Sequence, residues 1–200
     1  MERTYAALRS HGLQEDATYH QPPPREMKRV TLEDPAIEVM TDFRLVRAIT
    51  VPASVSMEYA AQRMRVNRIH LLLVTDERNA ILGLITSTDI EGEKPLIQIS
   101  KRRLRRDEIT VADVMTPRER LEVIDMADVH RARVGHVVAT LKAVGRQHAM
   151  VSDRDETGRS VVRGLFAVSQ LNRQLGTTIE TFEIARSFAE VETAFVRAAA

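Results

Sequence analysis

Apolar residues in the first half of the chain follow a helical spacing and then a strand pattern. Ser54 or Ser56 stands where an N-cap is expected, and four apolar residues follow at the interval of an amphipathic helix: Met57, Ala60, Ala61 and Met64. Two apolar runs of strand length come next, at 70–74 and 80–85, with a polar turn between them. Because neither run alternates, we expect a hairpin that is buried on both faces.

The same order of elements returns in the second half. A second amphipathic helix is predicted by five residues: Val134, Val137, Val138, Leu141 and Val144. Strand-length runs follow at 148–151 and 160–166, and a Val-Met-Thr segment precedes each unit, at 39–41 and 114–116. The repeat predicts an α+β fold of two helix–strand–strand–helix units, which bury their apolar faces against each other because neither can do so alone.

The repeat divides the chain into five segments. Residues 1–35 contain three consecutive prolines and are predicted to form an arm. The two repeats are expected at 36–98 and 109–176, joined by a basic linker at 99–108. Residues 177–200 predict an amphipathic helix whose apolar face, with three phenylalanines, would need a partner.

Composition narrows the possible functions. The net charge is +1, so no global field draws the protein to nucleic acid or to a membrane surface. The chain has no cysteine, no secretory signal at its start and no apolar run of membrane-spanning length, which together predict a cytoplasmic protein. Phosphate-loop, nucleophile-elbow and paired-histidine metal motifs are absent from the sequence, so we expect neither catalysis nor a metal site.

Residues 83–90, Gly-Leu-Ile-Thr-Ser-Thr-Asp-Ile, end a predicted strand in three hydroxyls and a carboxylate. One interpretation is a helix cap, because Thr-x-x-Asp resembles a capping box. The other is a ligand site, because a carboxylate can accept hydrogen bonds from both hydroxyls of a cis-diol and free backbone N–H groups favour an anion. The two roles can coexist on one carboxylate.

The paired Val-Met-Thr segments, the helix–hairpin order and the Gly-aliphatic-aliphatic-Thr-x-x-Asp ending resemble the tandem CBS domain, or Bateman module, over about residues 36–176. The resemblance implies two repeats packed about a pseudo-twofold axis. It further implies a regulatory, signal-transduction module that binds AMP, ADP, ATP or S-adenosylmethionine in a cleft. A homodimer, and an unidentified partner protein whose contact changes on ligand binding, are also expected.

The resemblance assigns roles to residues of the first repeat. Asp89 would accept hydrogen bonds from the ribose, and Thr86, with Ser87 and Thr88 beside it, would meet the phosphates, while Gly83 completes the motif. The adenine wall is expected from the entry segment and the first hairpin strand: Ile49, Thr50, Val51 and Ile69. The basic residues expected near the phosphates precede the hairpin strands of the two repeats: Arg68, His70, Arg146 and His148.

The second repeat departs from this pattern. Gly164 matches, but Ala167 replaces the threonine and Gln170 the aspartate, leaving only Ser169 as a partial substitute. A neutral amide is a poorer acceptor for a diol, so the sequence predicts one competent site around Asp89 and one weak or empty site.

Two alternatives to nucleotide binding remain open. The protein could be a structural dimerisation or interaction module whose clefts are unused. It could also bind nucleic acid weakly through residues 101–106, where five positive charges could contact phosphates.

Overall fold

The computed structural model describes residues 28–179, together with Gly12, Gln14, Glu15, Ala17 and Thr18. The predicted arm is therefore described only in part. The predicted C-terminal helix lies outside the described residues beyond Ile179.

The first half of the described chain contains these helices and strands, in order: β1 (Thr41–Asp42), β2 (Thr50–Pro52), α1 (Met57–Asn67), β3 (Leu71–Thr75), β4 (Ile81–Thr86), α2 (Ser87–Glu91) and α3 (Glu93–Arg102). The second half continues as follows: α4 (Val111–Val114), β5 (Thr116–Pro117), β6 (Val123–Asp125), α5 (Met126–Arg131), α6 (Val134–Val144), β7 (His148–Arg154), β8 (Ser160–Ala167) and α7 (Val168–Leu175). Both predicted helix–hairpin units are therefore present, and the Ser56 hydroxyl caps α1 by accepting a hydrogen bond from the Tyr59 N–H at 3.2 Å.

The two repeats form two four-stranded sheets with the same strand order. One sheet runs β2-β3-β4-β5 and the other β6-β7-β8-β1. In each sheet the first pair is parallel and the other two pairs are antiparallel. This equivalence confirms the α+β fold of two repeats.

Each sheet takes one edge strand from the segment that leads into the other repeat. The first Val-Met-Thr segment enters β1, which pairs with β8 of the second repeat, and the second enters β5, which pairs with β4 of the first. The Asp42 carboxylate fastens β1 to β8 by accepting two hydrogen bonds from the Arg163 guanidinium, at 2.8 and 2.7 Å. The repeats are therefore interlocked by exchanged strands as well as packed together.

The exchange explains the glycine that opens each strand-end motif. Gly83 lies opposite Pro117, and Gly164 lies opposite Asp42. A β-carbon on either glycine would overlap the carbonyl oxygen of the preceding threonine in the exchanged strand, Thr116 or Thr41. Both motif glycines permit this close backbone approach.

Each sheet packs its helices over a separate apolar core, and a third, smaller cluster joins the sheets to each other. That joining cluster is centred on Leu71, Leu73 and Met150. The prediction that Val144 belongs to the buried apolar stripe of α6 is wrong. Val144 is 46% exposed, because α6 ends there, just before the left-handed Gly145.

The segments next to the repeats are more ordered than the sequence suggested. Helix α3 runs to Arg102, so the predicted linker at 99–108 begins inside a helix. Val30, in the predicted arm, is buried in the core of the second repeat, and its N–H donates to the Gln174 carbonyl at 3.1 Å.

Candidate ligand-binding clefts

Two clefts lie between the repeats, one at each strand-end motif. The Asp89 cleft has a volume of about 230 Å³ and is lined by Thr86, Thr88 and Asp89 of the first repeat, facing residues 146–148 of the second. The Gln170 cleft has a volume of about 580 Å³. Its lining combines Ala167, Ser169 and Gln170 of the second repeat with residues of the first.

Asp89 is the third residue of α2 and forms a capping box with Thr86, the N-cap residue. Its Oδ2 accepts hydrogen bonds from the Thr86 N–H at 2.8 Å and the Thr86 hydroxyl at 2.9 Å, while the Asp89 N–H donates to Thr86 Oγ1 at 3.2 Å. This reciprocal pattern is a capping box, so the first of the two interpretations of residues 83–90 is realised.

A lysine contacts the other carboxylate oxygen of Asp89. Lys94 Nζ lies 2.5 Å from Asp89 Oδ1 and donates to the Thr116 hydroxyl at 3.3 Å. The buried carboxylate is thereby paired with a charge. Lys94 also connects the capped helix to the exchanged strand β5.

The second repeat supplies cations to the same cleft. Arg120 and Arg146 line it, and Arg146 forms an ion pair with Glu122 at 3.0 Å. Asp89 and Glu122 are the acidic lining residues, and each has a cation as its partner, Lys94 for Asp89 and Arg146 for Glu122.

His148 lines both clefts. Burial at this junction, followed by the charge of His70, lowers the pKa of His148 to about 4, with Asp89 acting in the opposite direction. The imidazole is therefore uncharged at neutral pH, where it can donate a hydrogen bond but supplies no cation to a phosphate.

The strand registers identify the residue of the first repeat that is equivalent to His148. Leu71 pairs with Thr86 in the first repeat, and His148 pairs with Ala167 in the second, so His148 corresponds to Leu71. His70 lies one position before this equivalent residue, so the two histidines do not occupy matching positions.

The Gln170 cleft holds several residues that were expected around Asp89. Ile49, Arg68, Ile69 and His70 line it, whereas Arg146 lines the Asp89 cleft. The predicted set is therefore divided between two clefts. The reason is that each cleft combines the strand-end motif of one repeat with the entry residues of the other.

Gln170 is held by the first Val-Met-Thr segment. The Thr41 hydroxyl donates to Gln170 Oε1 at 2.8 Å, and the Gln170 amide donates to the Val39 carbonyl at 3.3 Å. The neutral side chain of Gln170 thus connects the motif helix of the second repeat to an exchanged strand. In the first repeat, Asp89, Lys94 and Thr116 make the equivalent connection.

Comparison with known proteins finds a family match in the first repeat. The model of the CBS domain matches residues 36–93. Residues 36–93 are therefore similar to a CBS domain. CBS domain-containing protein CBSCBSPB1 of Arabidopsis thaliana is 34% identical over 74 residues, which cover 37% of this chain and 13% of that protein. The match thus spans only a small part of this relative.

The fold is similar to that of a solved structure. An uncharacterized conserved protein from Pyrococcus horikoshii aligns with a TM-score of 0.53 and 21% identity, over 76% of this chain and 99% of that one. The CBS domain pair of protein MJ0100, in complex with 5′-methylthioadenosine and S-adenosyl-L-methionine, aligns with a TM-score of 0.49 and 19% identity over 72% of this chain and 97% of that one.

The remaining predicted residues lie beside the two clefts. Val51 is buried in the core of the first repeat and lines neither cleft, and Thr50 lies in an adjoining hollow with Phe43. Ser87 is half-buried, with its hydroxyl 3.5 Å from His70 Nδ1. Gly83 and Gly164 contact the exchanged strands.

Several site residues escaped the sequence reasoning. They are Arg47, Lys94, Arg120, Glu122 and Arg173. Three of them lie in the segments that enter the CBS repeats, whose crossing to the other sheet was not predicted. The sequence signal that could have indicated these residues is the Val-Met-Thr segment, which recurs before each unit and leads into the exchanged strand.

Within residues 28–179, no group of three acidic or histidine side chains is placed to hold a metal ion. None of the helices in that part of the chain combines the length and apolar character needed to cross a bilayer.

Proposed function

We propose that the protein is a non-catalytic regulatory module that binds an adenine nucleotide of the AMP, ADP or ATP class, or S-adenosylmethionine, in the Asp89 cleft. One arrangement carries the proposal. The Asp89 carboxylate of one CBS repeat and the guanidinium groups of Arg120 and Arg146 of the other line the same cleft.

These groups match the parts of a nucleotide. A carboxylate can accept hydrogen bonds from both ribose hydroxyls. Guanidinium groups suit phosphate oxygens in charge and geometry. Leu84, Leu121 and Met150 add apolar surface to the same cleft, against which a base could pack.

The size of the cleft connects binding to regulation. A volume of about 230 Å³ is below the range of roughly 300–1,000 Å³ that is usual for small-molecule sites. A nucleotide would therefore bind better when the repeats are further apart. Such unequal affinity is what a ligand needs in order to shift a conformational equilibrium. The shift would change contact with a second copy of the chain or with another protein.

Asp113 offers a matched control for the test. Its Oδ2 accepts hydrogen bonds from the Thr110 N–H at 2.9 Å and the Thr110 hydroxyl at 2.7 Å, and its Oδ1 contacts Arg102. The arrangement repeats that of Asp89, with a threonine cap on one oxygen and a cation on the other, but Asp113 does not line the Asp89 cleft.

Calorimetric titration of the full chain with AMP, ADP, ATP and S-adenosylmethionine tests the proposal. Asp89→Ala and Asp113→Ala should each cost about 0.5–2 kcal/mol in unfolding free energy, because each loses the carboxylate of a capping box. Only Asp89→Ala should weaken nucleotide binding, by about tenfold or more, because a charge-assisted acceptor is lost. Equal affinities of the two variants would contradict the proposal.

A second function is favoured by one observation, namely that both oxygens of Asp89 already have partners within the chain. An interaction module with unused clefts would bind none of the four ligands in the titration. Nucleic-acid binding is less well supported, because three of the five linker cations contact carboxylates: Arg102 with Asp113, Arg105 with Asp107, and Arg106 with Glu58.

A further inference from the structure

A further hollow, separate from the two clefts, opens between the sheets near the turns of their hairpins. Its volume is about 760 Å³, and its lining includes residues 79–81 of the first hairpin and 160–162 of the second. None of the residues of the two strand-end motifs lines it. It shares walls with the Gln170 cleft, at Phe43 and Leu73 among others, and with the Asp89 cleft, at Leu121 and Met150.

Both repeats contribute equivalent residues to this lining. Leu73 and Met150 are equivalent, because each pairs with the residue that directly follows a motif glycine. Ile81 and Val162 each stand two positions before that glycine. The hollow therefore lies on the pseudo-twofold axis, and we call it the axial hollow. A ligand there would contact both repeats in the same way.

The surface of the axial hollow is largely apolar. Leu73 and Met150 are buried members of the joining cluster, whereas Ile81 and Val162 are members that stay partly exposed. Val123, which also lines the hollow, is 49% exposed. The contact between the sheets is thus incompletely buried at this end, and an apolar occupant would remove that surface from water.

The charged residues of the lining are two arginines. Arg47 and Arg118 lie in the segments that lead from the exchanged strands β1 and β5 into β2 and β6, and both are exposed. No aspartate or glutamate is among the described lining residues. Arg47 has no ion pair with a carboxylate of residues 28–179, and Arg118 contacts Glu119 at 3.3 Å in a pair that is exposed on both sides. Because such a pair contributes little, both cations are available to an anion.

These properties select the chemistry of the ligand. The volume lies within the range of roughly 300–1,000 Å³ that is usual for small-molecule sites. Phe43 is the aromatic residue among otherwise aliphatic apolar neighbours, and the described lining has no carboxylate to accept hydrogen bonds from a sugar diol. An aliphatic chain with one anionic head group therefore fits the axial hollow better than a nucleotide does.

We propose that the axial hollow binds a medium-chain fatty acid, with the alkyl chain over Leu73, Met150 and the aliphatic residues around them, and the carboxylate against Arg47 and Arg118. This site is distinct from the proposed nucleotide site and does not depend on it. Because the alkyl chain would contact both sheets, binding would stabilise the contact between the two repeats.

Decanoate is the probe, and hexanoate, octanoate and the neutral 1-decanol are its partners. Calorimetric titration of the full chain, below the micelle concentration, should show one decanoate bound per chain. The affinity should rise about two- to fourfold per added methylene from hexanoate to decanoate, because each methylene removes apolar surface from water. Decanol should bind at least about tenfold more weakly, since it lacks the charge that pairs with the arginines.

Arg118→Met tests the contact with the carboxylate. It should weaken decanoate binding by about tenfold or more, because a charge-assisted hydrogen bond is lost. Arg120→Met and Arg68→Met remove the same charge from the Asp89 cleft and the Gln170 cleft, and neither residue lines the axial hollow. Both should bind decanoate like the parent protein.

Val161→Asp tests the apolar surface. Val161 lines the axial hollow at 38% exposure, so a carboxylate there should repel the head group of the ligand and weaken decanoate binding by at least about tenfold. Val66→Asp, at a position on α1 that is 75% exposed and lines neither cleft nor the hollow, should leave the affinity unchanged. Thermal unfolding followed by circular dichroism should show that both variants are folded, because both positions contact solvent.

The possible failures are distinguishable. Decanoate binding that is lost in Arg68→Met or Arg120→Met, but kept in Arg118→Met, would overturn the inference and assign the probe to one of the clefts. Equal affinities for decanoate and decanol, equal losses in Val161→Asp and Val66→Asp, or many decanoates bound per chain would also overturn it. Binding of AMP that depends on Asp89, without any binding of decanoate, would refute the inference while leaving the proposed function intact.

Discussion

The carboxylate of Asp89 accepts hydrogen bonds from three donors with two oxygens. The Thr86 N–H and hydroxyl share Oδ2, and Lys94 Nζ contacts Oδ1. Only the Oδ1 side is held by a long side chain that could move away, since Lys94 is partly exposed. A bound diol would therefore compete with Lys94 and leave the cap in place.

Lys94→Met should increase the affinity for neutral adenosine, by about threefold or more, because Oδ1 no longer has a competing ammonium group. The lost ion pair should lower the unfolding free energy by about 1 kcal/mol. Titration calorimetry with adenosine and chemical denaturation measure the two effects.

Arg102→Met provides the comparison, because Arg102 contacts Asp113 as Lys94 contacts Asp89. It should leave the affinity for adenosine unchanged. A decrease in that affinity in Lys94→Met would show that the lysine supports the ligand instead of competing with it.

At the scale of elements, the exchanged strands β1 and β5 determine the position of both clefts. Thr41 and Thr116 stand on these strands, and each contacts the motif helix of the other repeat, Thr41 through Gln170 and Thr116 through Lys94. Any change that moves an exchanged strand should therefore change the geometry of a cleft.

Gly83→Ala and Gly164→Ala should each lower the unfolding free energy by about 1–3 kcal/mol, because the added methyl group overlaps a backbone carbonyl that cannot swing aside. Chemical denaturation measures this loss. Gly12→Ala should cost much less, since its added β-carbon would meet no described atom. Equal losses at all three positions would show that the exchanged strands do not press on the motif glycines.

The same elements show what the sequence could predict. Helices α1 and α6 and the two hairpins followed from apolar spacing, because burial imposes a period on each of them. Strands β1 and β5 have two residues each, too short for any period, and they pair with residues far away in the chain. The motif at 83–89 could be located in advance. The division of Ile49, Arg68 and Arg146 between two clefts could not be predicted, because it depends on those strand pairings.

At the scale of the whole molecule, His148 is shared by the two clefts, since it lines both. Its equivalent in the first CBS repeat, Leu71, is one of the buried residues of the joining cluster. An ionisable ring in the second repeat thus occupies the position that a leucine occupies in the first. The groups that act on its titration are His70 and Asp89.

Protonation of His148 should make the folded protein less stable in mild acid. Its pKa falls from an ordinary 6.5 to about 4 in the folded state, so between these values the unfolded chain binds more protons. The contribution of His148 is therefore fully present above pH 6.5 and is lost as the pH falls towards 4. By linkage, the unfolding free energy should drop by about 2 kcal/mol from this residue alone between about pH 7.5 and pH 5.

His148→Leu, which copies Leu71, should remove this part of the pH dependence. Urea denaturation at the two pH values should show that the drop in unfolding free energy is about 2 kcal/mol smaller in the variant than in the parent protein. His130→Leu, at an exposed position on α5, should keep the full drop. If His148→Leu and the parent lose the same stability on acidification, the imidazole is not held uncharged between the repeats, and the acid sensitivity of the CBS pair must come from other groups.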